Sequence, residues 1–168
     1  MKICSYGMRS LLGAVGGIAL LLAVIAIIIF CSQPSASENI SAAAMQGNLD
    51  HLKKLEAKGV SLDAQNRHAF GWTPLMAAIY MQQTNIIQYL LTRNVNLDLR
   101  DSTGRTALMW AITTKDTNTV RLLLNKGADA TIKDIGGVNA FGYVETSPYH
   151  ALFLEWLNEH STSNKSSN

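Results

Sequence analysis

Cysteine is scarce in this chain: Cys4 and Cys31 are the two it has, and nothing after Cys31 could join a disulfide framework. They flank an apolar stretch that would hold them about 30 Å apart as a helix, far beyond disulfide reach, so a bridge between them is excluded. A cysteine-free remainder is compatible with any redox compartment. Net charge is small too: it is +2 at pH 7, and Lys2 and Arg9 supply all of it. From Glu38 onward twelve Lys/Arg balance twelve Asp/Glu. A neutral domain without a basic stripe argues against nucleic acid, whose affinity rests on phosphate neutralisation, and the balance points to no acidic substrate. The four histidines, His51, His68, His150 and His160, lack any His-Glu-x-x-His or His-x-x-His spacing, which excludes the usual zinc signatures. No Gly-x-Ser-x-Gly elbow, phosphate loop or dinucleotide fingerprint is present. No catalytic, cofactor-binding or metal-ligating residue is therefore expected, and no small-molecule substrate is indicated. Asp98, Asp101 and Asp134 lie in turn-rich connections, where Asp fixes turns by bonding nearby amides.

What is abundant comes first at the N-terminus. Residues 11–30 form an unbroken run of 20 uncharged residues, enough for a helix about as long as the hydrocarbon core is thick. Lys2 and Arg9 precede the run and no charge follows it closely, which predicts residues 1–10 in the cytoplasm and the rest outside the membrane. Its length favours an uncleaved single-pass anchor, since a cleaved signal has an apolar region of about 7–15 residues. Two alternatives stay open: cleavage after Ser35-Ala36-Ser37, giving a soluble periplasmic or secreted protein, and lipidation at Cys31. Ile28-Ile29-Phe30-Cys31 resembles a bacterial lipobox, with Phe30 standing where that family has Gly, Ala or Ser. Gly13 and Gly17 give the Gly-xxx-Gly spacing found where spanning helices pack closely, though Gly is common in such helices. Residues 31–37 read as a polar linker, with Pro34 blocking helix continuation.

The remainder repeats itself at a period of 33 residues. Gly71-Trp72-Thr73-Pro74-Leu75-Met76-Ala77-Ala78 returns as Gly104-Arg105-Thr106-Ala107-Leu108-Met109-Trp110-Ala111, and Ile87-Gln88-Tyr89-Leu90-Leu91 returns as Val120-Arg121-Leu122-Leu123-Leu124. Thr73 and Thr106 read as N-caps, with Pro74 in the first helical position. Leu75, Ala78 and Ile79 share one face of a short inner helix, and Leu108, Ala111 and Ile112 repeat that face. Ile86, Ile87, Leu90 and Leu91 give an outer helix its stripe, matched by Val120, Leu123 and Leu124. Lys126-Gly127 signals a helix end, and Asn94 fills the same left-handed slot.

Shorter flanking units are expected at both ends. Ser41 to Asp50 with Leu52-Lys53-Lys54-Leu55 reads as a first unit, followed by a connection two residues longer than the others: Gly59 to Gly71 spans 12 where Gly127 to Gly137 spans 10. Downstream, Gly137-Val138-Asn139-Ala140-Phe141 stands at the next start. Ser147-Pro148 reads as a cap for a helix carrying Leu152, Phe153, Trp156 and Leu157, and residues 161–168 read as a disordered tail.

These motifs resemble the ankyrin repeat over residues 38–160. The resemblance implies an all-α solenoid of about four helix-turn-helix units (38–70, 71–103, 104–136 and 137–160), joined by extended fingers, behind the N-terminal transmembrane or signal helix. Met76 and Met109 depart from the pattern, occupying the slot where the family most often carries a finger-tying His; each is expected to act as apolar filler. In that family a protein partner meets the finger tips and the concave face of the inner helices. Matching slots here include Phe70, Trp72, Tyr80 and Met81 in the second unit and Arg105 and Thr113 in the third, with Ala69, Ser102, Thr103, Thr114, Ile135 and Val138 nearby. Trp72 has two readings, an anchor for the partner or packing along the lengthened finger. As an anchor, its replacement by Ala would weaken binding without unfolding the domain. Trp110 and Trp156 read as core. The expected function is a non-catalytic protein-interaction module on the outer side of a bacterial cytoplasmic membrane; the alternatives are a self-associating membrane scaffold and an exported effector.

Overall fold

The computed structural model describes residues 36–66, 70–145 and 149–163, and within them the chain forms eight α-helices in four pairs. The pairs are α1 (Ala36–Met45) with α2 (Leu49–Ala57), α3 (Pro74–Tyr80) with α4 (Thr84–Leu91), α5 (Ala107–Thr113) with α6 (Thr117–Asn125), and α7 (Ala140–Glu145) with α8 (His150–Ser163). No strand occurs among the described residues; an isolated bridge joins Asn66 to Trp72 across the first finger. The apolar run at residues 11–30, both cysteines and the Ser147-Pro148 cap lie outside the described residues. Among those described, no helix is long and apolar enough to cross a membrane.

Small side chains set the packing order. The inner helices α1, α3, α5 and α7 pack in sequence, through fully covered Ala43, Ala44, Ala77, Ala78, Ala111 and Ala140. Each inner helix also packs on its own outer partner, whose stripe is buried as the periodicity predicts: Ile86, Ile87, Leu90 and Leu91 in α4, and Val120, Leu123 and Leu124 in α6. Met76 and Met109 are buried as filler.

The two threonine caps behave differently. Thr73 accepts the Met76 amide at 3.2 Å, as a capping residue should. Thr106 makes no such bond, and its Oγ1 is buried without a partner. Because a covered, unbonded hydroxyl is destabilising, Thr106→Val is expected to hold or raise stability by up to about 1 kcal/mol in urea denaturation. A loss beyond that range would show that the hydroxyl has a partner in solution.

Outer helices end as expected, with Gly59, Asn94 and Gly127 at φ 85°, 51° and 86°. A second left-handed position joins the two helices in each of the first three units, at Gly47, Gln82 and Lys115 (φ 69°, 55° and 60°), and only the first of these is glycine. A left-handed conformation costs an L-residue about 1–2 kcal/mol, offset in part by the greater chain entropy that glycine brings to the unfolded state. Lys115→Gly is therefore expected to stabilise by about 0.5 kcal/mol, read as a higher urea midpoint at unchanged slope.

Both ends differ from expectation. Helix α1 begins at Ala36, inside the segment read as linker, because Glu38 to Ala44 lacks any breaker once Pro34 is passed. Helix α8 runs to Ser163, beyond the expected end at His160. The start of α7 falls to Asn139, whose Oδ1 accepts the Gly142 amide at 3.4 Å. In α8, Phe153 and Leu157 are buried, whereas Leu152 faces outward and Trp156 is half-buried beside Phe153 and under Arg121, so neither of these last two is full core.

Candidate functional site

The fingers are built by aspartates. Asp101 Oδ1 accepts the amides of Thr103 and Arg105 and the Thr103 hydroxyl at 2.7–2.9 Å. Asp134, at the equivalent place one unit later, accepts the amides of Gly136 and Val138 at 2.8 and 2.9 Å. Each also reaches its following inner helix with the other oxygen: Trp110 Nε1 donates to Asp101 at 2.9 Å, and the Tyr143 hydroxyl donates to Asp134 at 2.6 Å. Neighbouring fingers are joined by the Ser102 amide donating to Phe70 O at 2.8 Å and the Ile135 amide donating to Thr103 O at 3.0 Å. Gly104 permits this approach, since a Cβ there would lie 2.8 Å from the Ile135 nitrogen. The fingers are thus tied without the family's usual His.

At the finger bases a second carboxylate set links successive units. Asp63 accepts the Asn96 amide at 3.0 Å and Asp98 accepts the Asp129 amide at 2.9 Å. Asp63 and Asp98 are equivalent, yet 35 residues apart, which places the two-residue insertion of the first finger after Asp63. Asp101 and Asp134 fix turns, as their residue type suggested, whereas Asp98 reaches across to the next unit instead.

Between fingers and inner helices runs a file of stacked groups. Trp72 lies 5.6 Å from Phe70, 4.8 Å from Tyr80 and 5.1 Å from Trp110, ring centroid to centroid. Tyr80 meets Trp110 edge-on at 5.5 Å. The Arg105 guanidinium then sits 5.1 Å from the Trp110 ring and 5.3 Å from the Tyr143 ring. Finger slots 72 and 105 alternate with helix slots 110 and 143. Ala77 occupies the corresponding helix slot in α3, and the rings of Trp72, Tyr80 and Trp110 fill that space. Edge-to-face and cation-π geometry suits the quadrupoles of these rings.

The six residues singled out in the sequence fall into two groups. Phe70, Tyr80 and Met81 are 65%, 46% and 42% exposed, Thr113 is exposed and Arg105 half-exposed. Trp72 is only 7% exposed, because Phe70, Tyr80 and Trp110 crowd its ring; of its two readings the packing one describes its position. Of the neighbouring slots, Ile135 and Val138 are exposed, while Ala69 lies outside the described residues. Trp110, read as core, is half-buried and belongs to the file. The signal for it was its column of the repeat, where Ala77, Trp110 and Tyr143 give two large rings after a small residue.

Electrostatics follow this geometry. The bond from Tyr143, with the Val138 and Gly136 amides, holds the Asp134 carboxyl below its ordinary value. Burial and the same bond push the Tyr143 phenol up, with Arg105 opposing. On the opposite, outer-helix side, Tyr89 donates to Glu56 and accepts from Arg93, whose guanidinium also pairs with Glu56 at 3.5 Å. The Glu56 bond pushes the Tyr89 phenol up. A shallow groove of about 500 Å³ lies on the same side between α4 and α6, floored by Ile87 and Leu122 and rimmed by polar side chains.

No curated protein matches the chain. A family model of ankyrin repeats matches residues 40–134 as three copies, covering the first three helix pairs and their fingers and stopping short of α7 and α8. That match spans more than half of the chain and agrees with the helix pairs, the asparagine and glycine helix ends and the finger bonds, and the chain belongs to the ankyrin repeat family.

Proposed function

We propose that this chain is a non-catalytic protein-interaction module that docks a protein partner on its finger tips and inner-helix face. One observation carries the reading: Phe70 on the first finger and Tyr80 and Met81 at the end of α3 are exposed, with the Phe70 and Tyr80 rings on the buried Trp72 and the finger backbones hydrogen-bonded. An ordered surface loses little conformational entropy on docking, and ankyrin repeats generally mediate protein–protein contacts. The partner would contact Phe70, Tyr80, Met81, Arg105 and Thr113, with Trp72 as supporting floor.

The module would stand on the outer side of the cytoplasmic membrane, held by residues 11–30, or be released there as a soluble periplasmic protein. The apolar run and the preceding Lys2 and Arg9 support that placement. A photo-crosslinking residue at position 70 or 81 should give adducts with a foreign protein in intact cells, and one at Leu122 on α6 should not. Adducts at Leu122 alone would refute the docking face; adducts at twice the chain's own mass would turn the reading to self-association. External protease should remove a C-terminal tag from spheroplasts, and a protected tag would refute the placement.

A further inference from the structure

The reading above leaves the partner's chemistry open, and Arg105 narrows it. Its guanidinium is held between the Trp110 and Tyr143 rings, which fixes its plane before any partner arrives. Its Nε is covered without a hydrogen-bond partner, while the guanidinium bonds the Tyr143 phenol and interacts with the Asp134 charge. The two carboxylates nearest in the fold spend their hydrogen bonds on the fingers, Asp101 on two amides, a hydroxyl and the Trp110 indole, and Asp134 on two amides and the Tyr143 phenol, so that Asp134 reaches Arg105 through its charge alone. Around it stand further outward cations, Arg100 on the other arm of the same finger and Lys133 at the equivalent place in the next. The even charge balance of the chain hides this: Asp101 is buried, whereas Arg100 and Lys133 are exposed.

We propose that Arg105 receives an Asp or Glu side chain of the partner, and that an apolar side chain of the same partner segment rests on Phe70, Tyr80 and Met81. This rests on the docking face proposed above and adds its specificity. A guanidinium that is stacked and always charged, with no carboxylate bonded to it, is matched by a carboxylate in a charge-assisted bond. The ring-to-ring steps from Phe70 through Trp72 and Trp110 to Arg105 are 5.6, 5.1 and 5.1 Å, so the two anchors lie within about 16 Å. An extended chain advances about 3.3 Å per residue, which places acid and apolar residue no more than about five positions apart.

The test uses the full-length chain in detergent on an array of eight-residue peptides, each with one Phe or Leu and one Asp or Glu at separations of one to six. Asn/Gln and phosphoserine counterparts of every peptide are included. The proposal expects acidic peptides to be retained about tenfold better than their amide counterparts. That preference should vanish in Arg105→Gln and be partly restored in Arg105→Lys, with both variants keeping the wild-type urea midpoint. If Arg105→Gln shifts the midpoint, the Arg105→Lys comparison at fixed fold decides. Equal retention of acids and amides, a preference surviving in Arg105→Gln, stronger retention of phosphoserine than of Asp, or no retention at all would each overturn it. If the position 70 and 81 crosslinks persist while the acid preference is absent, the docking face stands and only the carboxylate inference falls.

Discussion

Replacing Trp72 by alanine is expected to destabilise the domain by about 3–5 kcal/mol, the range for removing a large buried aromatic. The ring is covered by Phe70, Tyr80 and Trp110, and the backbone around it is committed as well: its carbonyl accepts the Asn66 amide at 3.0 Å and the Ser41 hydroxyl at 3.4 Å. The carbonyl bonds survive the substitution; the ring contacts do not. Phe70→Ala should cost far less, within about 1 kcal/mol, since most of its ring faces solvent. Urea denaturation of the two variants separates support from contact. A Trp72→Ala protein within about 1 kcal/mol of wild type would mean that the cluster is loosely packed and that Trp72 is free to serve as an anchor after all.

The second large effect belongs to Asp101. Asp101→Ala should cost about 2–4 kcal/mol, because it strands the Thr103 and Arg105 amides and the Trp110 indole at once. The residue is itself buried, so water replaces these bonds poorly. Asp101→Asn keeps one acceptor oxygen for the finger amides and loses the bond to Trp110, and it should cost about half as much. Red-shifted tryptophan emission at native urea concentrations would accompany both. If Asp101→Ala keeps wild-type stability, the finger is held by its backbone bonds alone, and the Arg105 stack loses its support.

The parts of this architecture that were legible in the sequence are the local ones. Leu75, Ile79 and Ile86 recur as Leu108, Ile112 and Thr119, and a spacing of three or four residues reports a helix face directly. Five of these six are apolar where a strict repeat would make all six so, yet Thr119 is buried too, because Asp116 takes its hydroxyl and its amide. What stayed hidden depends on one finger folding back over the next inner helix. Trp72 looks like an exposed slot in a linear reading, and Trp110 looks like core, until Asp101 draws the indole toward the finger from nine residues upstream. Thr73 and Thr106 are indistinguishable by motif, and only the side-chain geometry separates the bonded cap from the unbonded one. The site residues Phe70, Met81 and Thr113 were placed outward by slot alone, and so they lie.

The acid that links successive units also gives the array a direction. Asp63 holds the amide of the second unit and Asp98 that of the third, so each of these two junctions has an acceptor behind and a donor ahead. At the next equivalent place the chain has Thr131, which turns its hydroxyl back to Asp129 and offers nothing onward. The third junction therefore lacks the carboxylate bond that the first two share. A further copy of the second unit grafted after the third finger would meet no carboxylate there unless Thr131 were first made acidic.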